Sequence, residues 1–598
     1  MIKEPIETFK MLFEKYGDDL IYETRTLKVG TYVVVDFDKK SYEMFNIEGK
    51  NDVISPSVYK ELAKMDYLSS LVTMDKPVDP KKTIHSNNYM SFFIKKDNLS
   101  EDIVNDKSTN KNIYNAIDRY FSTIQTLTPD KESKKKDDKE KLNMYKLLGI
   151  ELMDIDIEEL QRNKVWLENN ILKLKEDSEY KDDKNYLKVF FKSSEKRFSN
   201  EQIRYLVPKV YNSNNYNTYV EGVLYGLPGD NMQLNDKKPS LKQMTRKNYC
   251  PILITLEDAL IQYKFFNYLM NFASNGENVL YVNDEGFYTY EQIKNQRNSF
   301  NGYLLKLKRD KALNLIDFKV VMGYKPKKLN KGFSFENVLE VAENEESSIK
   351  YGIKTSLIEI YNLVDEIIFY KMLKTNIFND DIKIKNQDLK RLVELTKDSM
   401  FSWFYQGKEK EGYMALKRMF ISILKNSIYQ GHFNKAKVQF NLLYSLMLHF
   451  ENGGKGMANI IKDVREQLIE KLDINCNKNE IQYIDNDEQY YYSVGQVVKY
   501  LLSLKNTIKV NQSEINAMLN SRNDKKLKSE IEKLYKRYNH SKYINSKKFN
   551  ALYAMVLSYR PDNTKIDSTT LLAGYLGISM LKNNKNEEDS TEDLTEDN

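Results

Sequence analysis

The chain has 598 residues, 41% hydrophobic and 30% charged, with 92 Lys and Arg against 86 Asp and Glu. That is length for roughly three to five domains of about 100–200 residues each, with too much apolar content for wholesale disorder. A mean hydropathy of −0.63, no apolar run near ~18 residues, and an opening Met1-Ile2-Lys3-Glu4-Pro5-Ile6-Glu7 without an apolar core exclude a membrane span and a secretion signal, so the cytoplasm is the expected compartment.

In chain order, the first 15 residues form an amphipathic helix with Ile6, Phe9 and Phe13 on one face. Strands are predicted over Tyr32–Phe37 and Tyr42–Ile47 around the Asp38-Lys39-Lys40 turn, and over Tyr89–Ile94. Thr128–Lys141 is almost without apolar residues and reads as a charged linker. Helices are expected over 140–175 and 255–275, then a hairpin with Val279–Val282 and Phe287–Tyr290 flanking Asn283-Asp284-Glu285-Gly286. Tyr303–Lys308 and Leu315–Val321 are further strands. The pattern is helical from about 335 to 465, broken only at Asn452-Gly453-Gly454-Lys455-Gly456. No repeat recurs at a fixed period. The fold class is therefore α+β, a mixed α/β body over 1–335, a helical middle region over 336–480, a helical bundle over 481–581 and an acidic disordered tail over 582–598.

The net charge of +6 is unevenly placed. Residues 491–581 carry fifteen Lys and Arg against six Asp and Glu, while the tail carries seven acids against two lysines. A concentrated basic excess suggests a polyanionic partner. Along Leu527–Tyr538, at about 100° per residue, Leu527, Ile531, Leu534 and Tyr538 cluster near ~180–240°, whereas Lys525, Lys526, Lys533, Lys536 and Arg537 span ~0–120°. Only Ser529 falls inside that stripe, and Glu530 and Glu532 sit just beyond its edges. Ser493–Leu504, Ser546–Tyr559 (capped by Asn545 or Ser546) and Ser568–Leu576 complete a four-helix bundle, with Lys547, Lys548 and Arg560 at helix ends. Such a surface grips phosphates without reading bases, although a plain solvated face gives the same pattern.

Catalytic and cofactor motifs are not found. Gly453-Gly454-Lys455-Gly456 follows a helix and lacks the hydroxyl of a phosphate loop. His85, His432, His449 and His540 are scattered, and His449 sits in an apolar run that suits a core histidine. Cys250 and Cys476 are too few for a zinc site or disulfide framework. Asp154, Asp156, Glu158 and Glu159 open a helix, where acids favour the dipole. The expectation is a non-enzyme with no metal and no cofactor. A polar segment, Tyr211–Asn248, differs in kind: Asn, Gln, Lys, Arg and Tyr surround Gly226, Pro228 and Gly229. It reads either as a structural loop or as a loop that probes bases.

Ile84–Phe93, Val207–Asn248 around Tyr225-Gly226-Leu227-Pro228-Gly229-Asp230-Asn231, Tyr491–Gln496, Tyr538-Asn539-His540, Phe549–Tyr559 and Leu571–Gly577 together resemble, in order over about residues 1–580, the large signature subunit of type I-B CRISPR Cascade. The resemblance implies a non-catalytic subunit at the guide RNA's 5′ end that recognises the target-flanking motif (PAM) and helps open the duplex into an R-loop. Its partners would be guide RNA, double-stranded target DNA with its displaced strand, the backbone, guide-end and small subunits, and a recruited helicase-nuclease in antiviral defence. The C-terminal bundle resembles the small subunit, for which Met447 or Met457 are candidate internal starts. Asn231, Gln233, Asn235, Lys237 and Lys238 are the candidate flank readers. Lys81, Lys82, Lys95 and Lys96 are candidates for holding the guide end, a solvated surface being the alternative. A nuclease and a helical protein-interaction scaffold are the competing functions.

Overall fold

A computed structural model describes residues 3–48, 54–99, 113–129, 136–178, 184–229, 253–296, 298–309, 313–341, 349–379, 381–451, 460–478, 480–504, 514–538 and 546–581. The chain is α+β, with mixed sheets in the N-terminal half and helices in the C-terminal half. It divides into two compact units, one of 1–290 and 302–320, the other of 291–301 and 321–598.

The first unit begins with helices α1 (Lys3–Tyr16) and α2 (Asp19–Thr24), strands β1 (Gly30–Asp36) and β2 (Ser41–Ile47), and helix α3 (Pro56–Leu68). Strand β3 (Ser91–Lys95), helices α4 (Ile113–Gln125), α5 (Lys136–Leu147) and α6 (Ile157–Asp177), strand β4 (Tyr186–Phe191) and helix α7 (Glu195–Leu206) follow. The sheet runs β2-β1-β4-β3, with β1 and β4 parallel and the outer pairs antiparallel. Its centre is β4, where Leu187–Phe191 are all buried. Phe191 meets Trp166 of α6 edge-on, at 5.6 Å between centroids, and Phe92 meets Tyr120 of α4. On the opposite face Lys188 reaches Asp66 of α3. Helices thus cover both faces, which explains a strand without alternating polarity.

One expectation is corrected here. The charged linker over 128–141 ends early, because Lys136–Lys141 is already the first half of α5. Met144 and Tyr145 of that helix are buried, and the Tyr145 hydroxyl donates to Arg204 O at 2.7 Å, so the charged turn is carried by an anchored apolar end. A small sheet of β5 (Thr218–Val220), β6 (Val223–Gly226) and β7 (Ile254–Thr255) leads into helix α8 (Leu256–Ser274). The hairpin β8 (Val279–Asn283) and β9 (Gly286–Thr289) joins β10 (Phe300–Arg309) and β11 (Leu313–Tyr324) in the order β11-β10-β8-β9.

The second unit holds a short ribbon of β12 (Phe333–Phe335) and β13 (Gly352–Lys354), then helices α9 (Leu357–Ile367), α10 (Gln387–Gln406), α11 (Glu409–Tyr429), α12 (Phe433–Glu451) and α13 (Ile460–Lys478). The terminal helices are α14 (Asp487–Ser503), α15 (Asp524–Tyr538), α16 (Lys547–Ser558) and α17 (Ser568–Leu576). Helix α13, assigned by sequence to the middle region, packs on α14 and α16, and Lys548 of α16 pairs with Asp473 of α13 at 3.1 Å. Helices α14 and α17 cross with their backbones nearly touching. A Cβ on Gly495 would collide with Leu571 O, and one on Gly574 with Tyr492 O. Gln496 spans the crossing, donating to Gly574 O and Ile578 O and accepting from Met580 N at 3.0 Å.

Candidate nucleic-acid interface

Helix α15 presents the charge pattern expected of it. Asn523 accepts from Lys526 N at 2.9 Å and opens the helix. Asp524 in the first turn accepts from the Tyr490 hydroxyl of α14 and pairs with Lys528 at 3.1 Å. Leu527, Ile531, Leu534 and Tyr538 are buried, which fixes the rotation of the helix. Lys525, Lys526, Lys533, Lys536 and Arg537 are all exposed on the far side.

The stripe is less open than the helical projection implies. Glu530, placed just outside it by rotation, reaches in to pair with Lys526 at 2.7 Å and Lys533 at 3.0 Å. The hydrogen bonds of these two ammoniums hold the Glu530 carboxyl below its usual range, and the bond to Glu530 raises Lys526. Arg537 pairs with Glu514 at 2.9 Å, and Lys548 with Asp473. Lys525, Lys536 and Lys547 have no acidic partner among the described residues. Of the seven candidate DNA contacts Lys525, Lys526, Lys533, Lys536, Arg537, Lys547 and Lys548, three thus lack an acidic partner among the described residues and four are held in ion pairs.

The guide-end candidates separate in a similar way. Lys81 and Lys82 are exposed on a turn built around Asp79, whose side chain is fully buried. Asp79 accepts from Arg119 at 2.6 Å and from the backbone N–H groups of Lys81, Thr83 and Ile84 at 3.1, 2.7 and 3.1 Å. Burial works against its ionisation, but the Arg119 bond and these N–H groups outweigh it and hold the carboxyl low. Lys82 adopts a left-handed backbone, φ +58°, and pairs with Asp75 at 3.2 Å. Lys95 is exposed at the end of β3. Lys96 is a correction: it is 1% exposed, and its backbone N–H donates to Asn185 O at 3.0 Å, so it is no surface contact. His85 ties the turn to the sheet, Nδ1 bonding the Tyr186 hydroxyl at 2.6 Å and Nε2 bonding Lys82 O at 2.9 Å. Burial, with the Lys95 charge nearby, lowers its pKa, so it is a neutral positioning residue.

Asn231, Gln233, Asn235, Lys237 and Lys238 lie outside the described residues, as do Gly453–Gly456, Met457, His540, Cys250 and the acidic tail. Two of the four acids that open α6 are spent locally: Asp156 caps the helix by accepting from Glu159 N at 2.9 Å, and Arg197 bridges Asp156 at 2.8 Å and Glu159 at 2.6 Å. Among the described residues no three His, Cys, Asp or Glu side chains gather as metal ligands, and no helix is long and apolar enough to cross a membrane. His449 stands edge-on to Phe333 and Phe450 at 5.7 and 4.9 Å.

Two side chains beside the cationic face were not singled out by sequence: Tyr535 of α15 and Tyr553 of α16, whose rings stack at 4.8 Å. Their only signal is the Phe549 and Tyr553 pair at i,i+4, and Tyr535 comes from another helix. No family model, curated protein or solved structure matches this chain.

Proposed function

We propose that the chain is the non-catalytic large subunit of a type I-B CRISPR RNA-guided Cascade complex, a cytoplasmic DNA- and RNA-binding protein. In this reading it recognises the PAM beside the target, contacts the guide RNA end, and stabilises the R-loop for a separate helicase-nuclease. The observation that carries it is the exposed cationic face of α15 with Lys547 of α16, of which Lys525, Lys536 and Lys547 lack acidic partners among the described residues. Free ammoniums on a rigid helix suit a phosphate chain held without regard to base sequence. The ordered resemblance supplies the assembly. Lys81 and Lys82 on their braced turn, with Lys95 at the end of β3, suit the guide end.

The test is made in the assembled complex. Reversing Lys525, Lys536 and Lys547 to Glu should leave assembly with guide RNA intact, weaken target DNA binding and flatten its salt dependence. Unchanged DNA affinity in that variant refutes the assignment. Replacing 231–238 by a Gly/Ser loop should relax the preference for the flanking motif, and a retained preference puts the reader elsewhere. A second reading, a helical protein scaffold, draws support from the Glu530 and Glu514 ion pairs, which neutralise part of the face. It demands DNA binding that is absent or insensitive to salt.

A further inference from the structure

The terminal helices hold an aromatic array alongside the free cations. Tyr500 of α14 stacks on Phe549 of α16 at 4.9 Å and 23°. Phe549 lies 5.7 Å and 10° from Tyr553 on the same helix, and Tyr553 lies 4.8 Å and 10° from Tyr535 of α15. Phe549 is fully buried, whereas Tyr500, Tyr535 and Tyr553 are half-buried, so the array passes through the core at Phe549 and reaches the surface at Tyr553 and Tyr535. Lys536 follows Tyr535 in the chain, Lys525 lies about 80° around the helix from it and about 15 Å along the axis, and Lys547 begins the helix that carries Phe549 and Tyr553.

We infer that the exposed end of this array, Tyr535 and Tyr553, is a stacking site for an unpaired nucleobase, with Lys536 beside the stacked nucleotide and Lys525 and Lys547 holding phosphates farther along the strand. This rests on the single-strand reading above and adds a base contact to what is otherwise a purely ionic surface. Every base has a π face, so stacking on tyrosine holds a strand without reading its sequence, which is what a path for a displaced strand requires. Two nearly parallel rings already in place lose little freedom when a third plane joins them. Burial, followed by the nearby Glu532 charge and Tyr535, pushes the Tyr553 phenol up to about 12, so that ring stays uncharged beside phosphates.

The test uses the full chain with two single strands of one sequence, DNA and RNA, each substituted with 5-iodouracil, whose ring photocrosslinks to a stacked aromatic side chain. Crosslinks mapped by mass spectrometry to Tyr535 or Tyr553 are expected, and the two arms show whether displaced DNA or RNA is the source. Tyr535→Leu with Tyr553→Leu should weaken binding roughly 5- to 100-fold while leaving the salt slope unchanged, because no phosphate contact is lost. Tyr535→Phe with Tyr553→Phe should bind as the parent does. Normal salt-sensitive binding with crosslinks only at other residues overturns the stacking site and leaves the cationic interface standing. No single-strand binding by the parent chain overturns both. Because the crosslink is read on the parent chain, instability of the Leu variant does not blunt the test.

Discussion

Removal of an acid separates a phosphate-binding face from a merely solvated one. Glu530 occupies both Lys526 and Lys533, so these three side chains together present one net positive charge to a strand. Glu530→Gln leaves two. Each phosphate neutralised on a single strand contributes about 0.7 to the slope of log affinity against log salt. The variant should therefore bind with a slope steeper by about 0.7, and extrapolation from 1 M to 0.1 M salt gives roughly fivefold tighter binding. Replacing the free cations Lys525, Lys536 and Lys547 by Gln should do the reverse and flatten the slope by about 2. The assay is fluorescence anisotropy of a labelled single strand across a salt series, with parent and variants measured in parallel.

An ordinary solvated helix face makes a different forecast. There Glu530→Gln removes only two surface ion pairs and some helix support, and nothing happens to DNA. Unchanged affinity and slope in Glu530→Gln, or an unchanged slope in the triple Gln variant, refutes the phosphate-binding account. A variant that tightens binding cannot be explained by damage to the fold, which makes the acid the more informative side of the pair.

The fold supplies further expectations. Gly574→Ala forces a methyl into the Tyr492 backbone and should cost about 3 kcal/mol, seen as a lower melting temperature; an unshifted melt refutes the close helix crossing. Asp66 is buried, yet Lys188 and Arg25 overcome that burial and hold its carboxyl well below the ordinary 3.8. Its folded pKa is thus depressed, and its contribution is present above the unfolded value and lost as pH falls beneath it. Asp66→Asn should cost ~3–5 kcal/mol near neutral pH and remove part of the acid limb of a urea-midpoint profile, and a variant as stable as the parent refutes the buried ion cluster. Burial holds His85 below 6.5, so the folded ring takes its proton later than the unfolded one and stability falls as pH drops through that range. Proton-detected titration should place the His85 midpoint in the folded chain below 6.5, and a midpoint at or above 6.5 contradicts the buried tether.

Elements with one wet face were legible in the sequence. The stripe of Ile6, Phe9 and Phe13 is a helix with Phe9 fully buried. The Asn283-Asp284-Glu285-Gly286 turn closes a hairpin in which Asn283 Oδ1 accepts from Glu285 N and Gly286 N at 3.0 and 3.1 Å. The rotation of α15 follows from its four apolar positions. Strand β4 was not legible, because a strand buried on both faces has no alternation, and Lys188 within it looks like a surface residue until Asp66 is brought to it by the fold. Lys96 misleads for the same reason: its side chain is buried at a strand end, which no lysine doublet announces. Helical projection placed Glu530 at the margin of the stripe, but angle locates a Cβ and not the end of a long side chain, and the carboxylate crosses that margin to meet two ammoniums.

Among the described residues, three of the segments on which the resemblance rests, Ile84–Phe93, Tyr491–Gln496 and Leu571–Gly577, are packing residues. Ser86, Asn87 and Asn88 are buried, Asn87 donating to Leu68 O at 3.0 Å and Ser70 O at 2.9 Å, and Ser86 sharing a hydrogen bond with the Tyr120 hydroxyl at 2.6 Å. Gly495, Gln496 and Gly574 make the crossing of α14 with α17. A likeness in such positions speaks to how the chain folds, whereas the cations of α15 lie outside those segments, so the two lines of support for the proposed function are independent. They are also mechanically joined. The crossing positions α14, α14 carries Tyr490, and the Tyr490 hydroxyl holds Asp524 in the first turn of α15. A substitution at Gly574 should therefore weaken DNA binding by moving the basic face, with its cations and salt slope intact, while substitutions at Lys525 and Lys536 change the slope and leave the melting temperature alone.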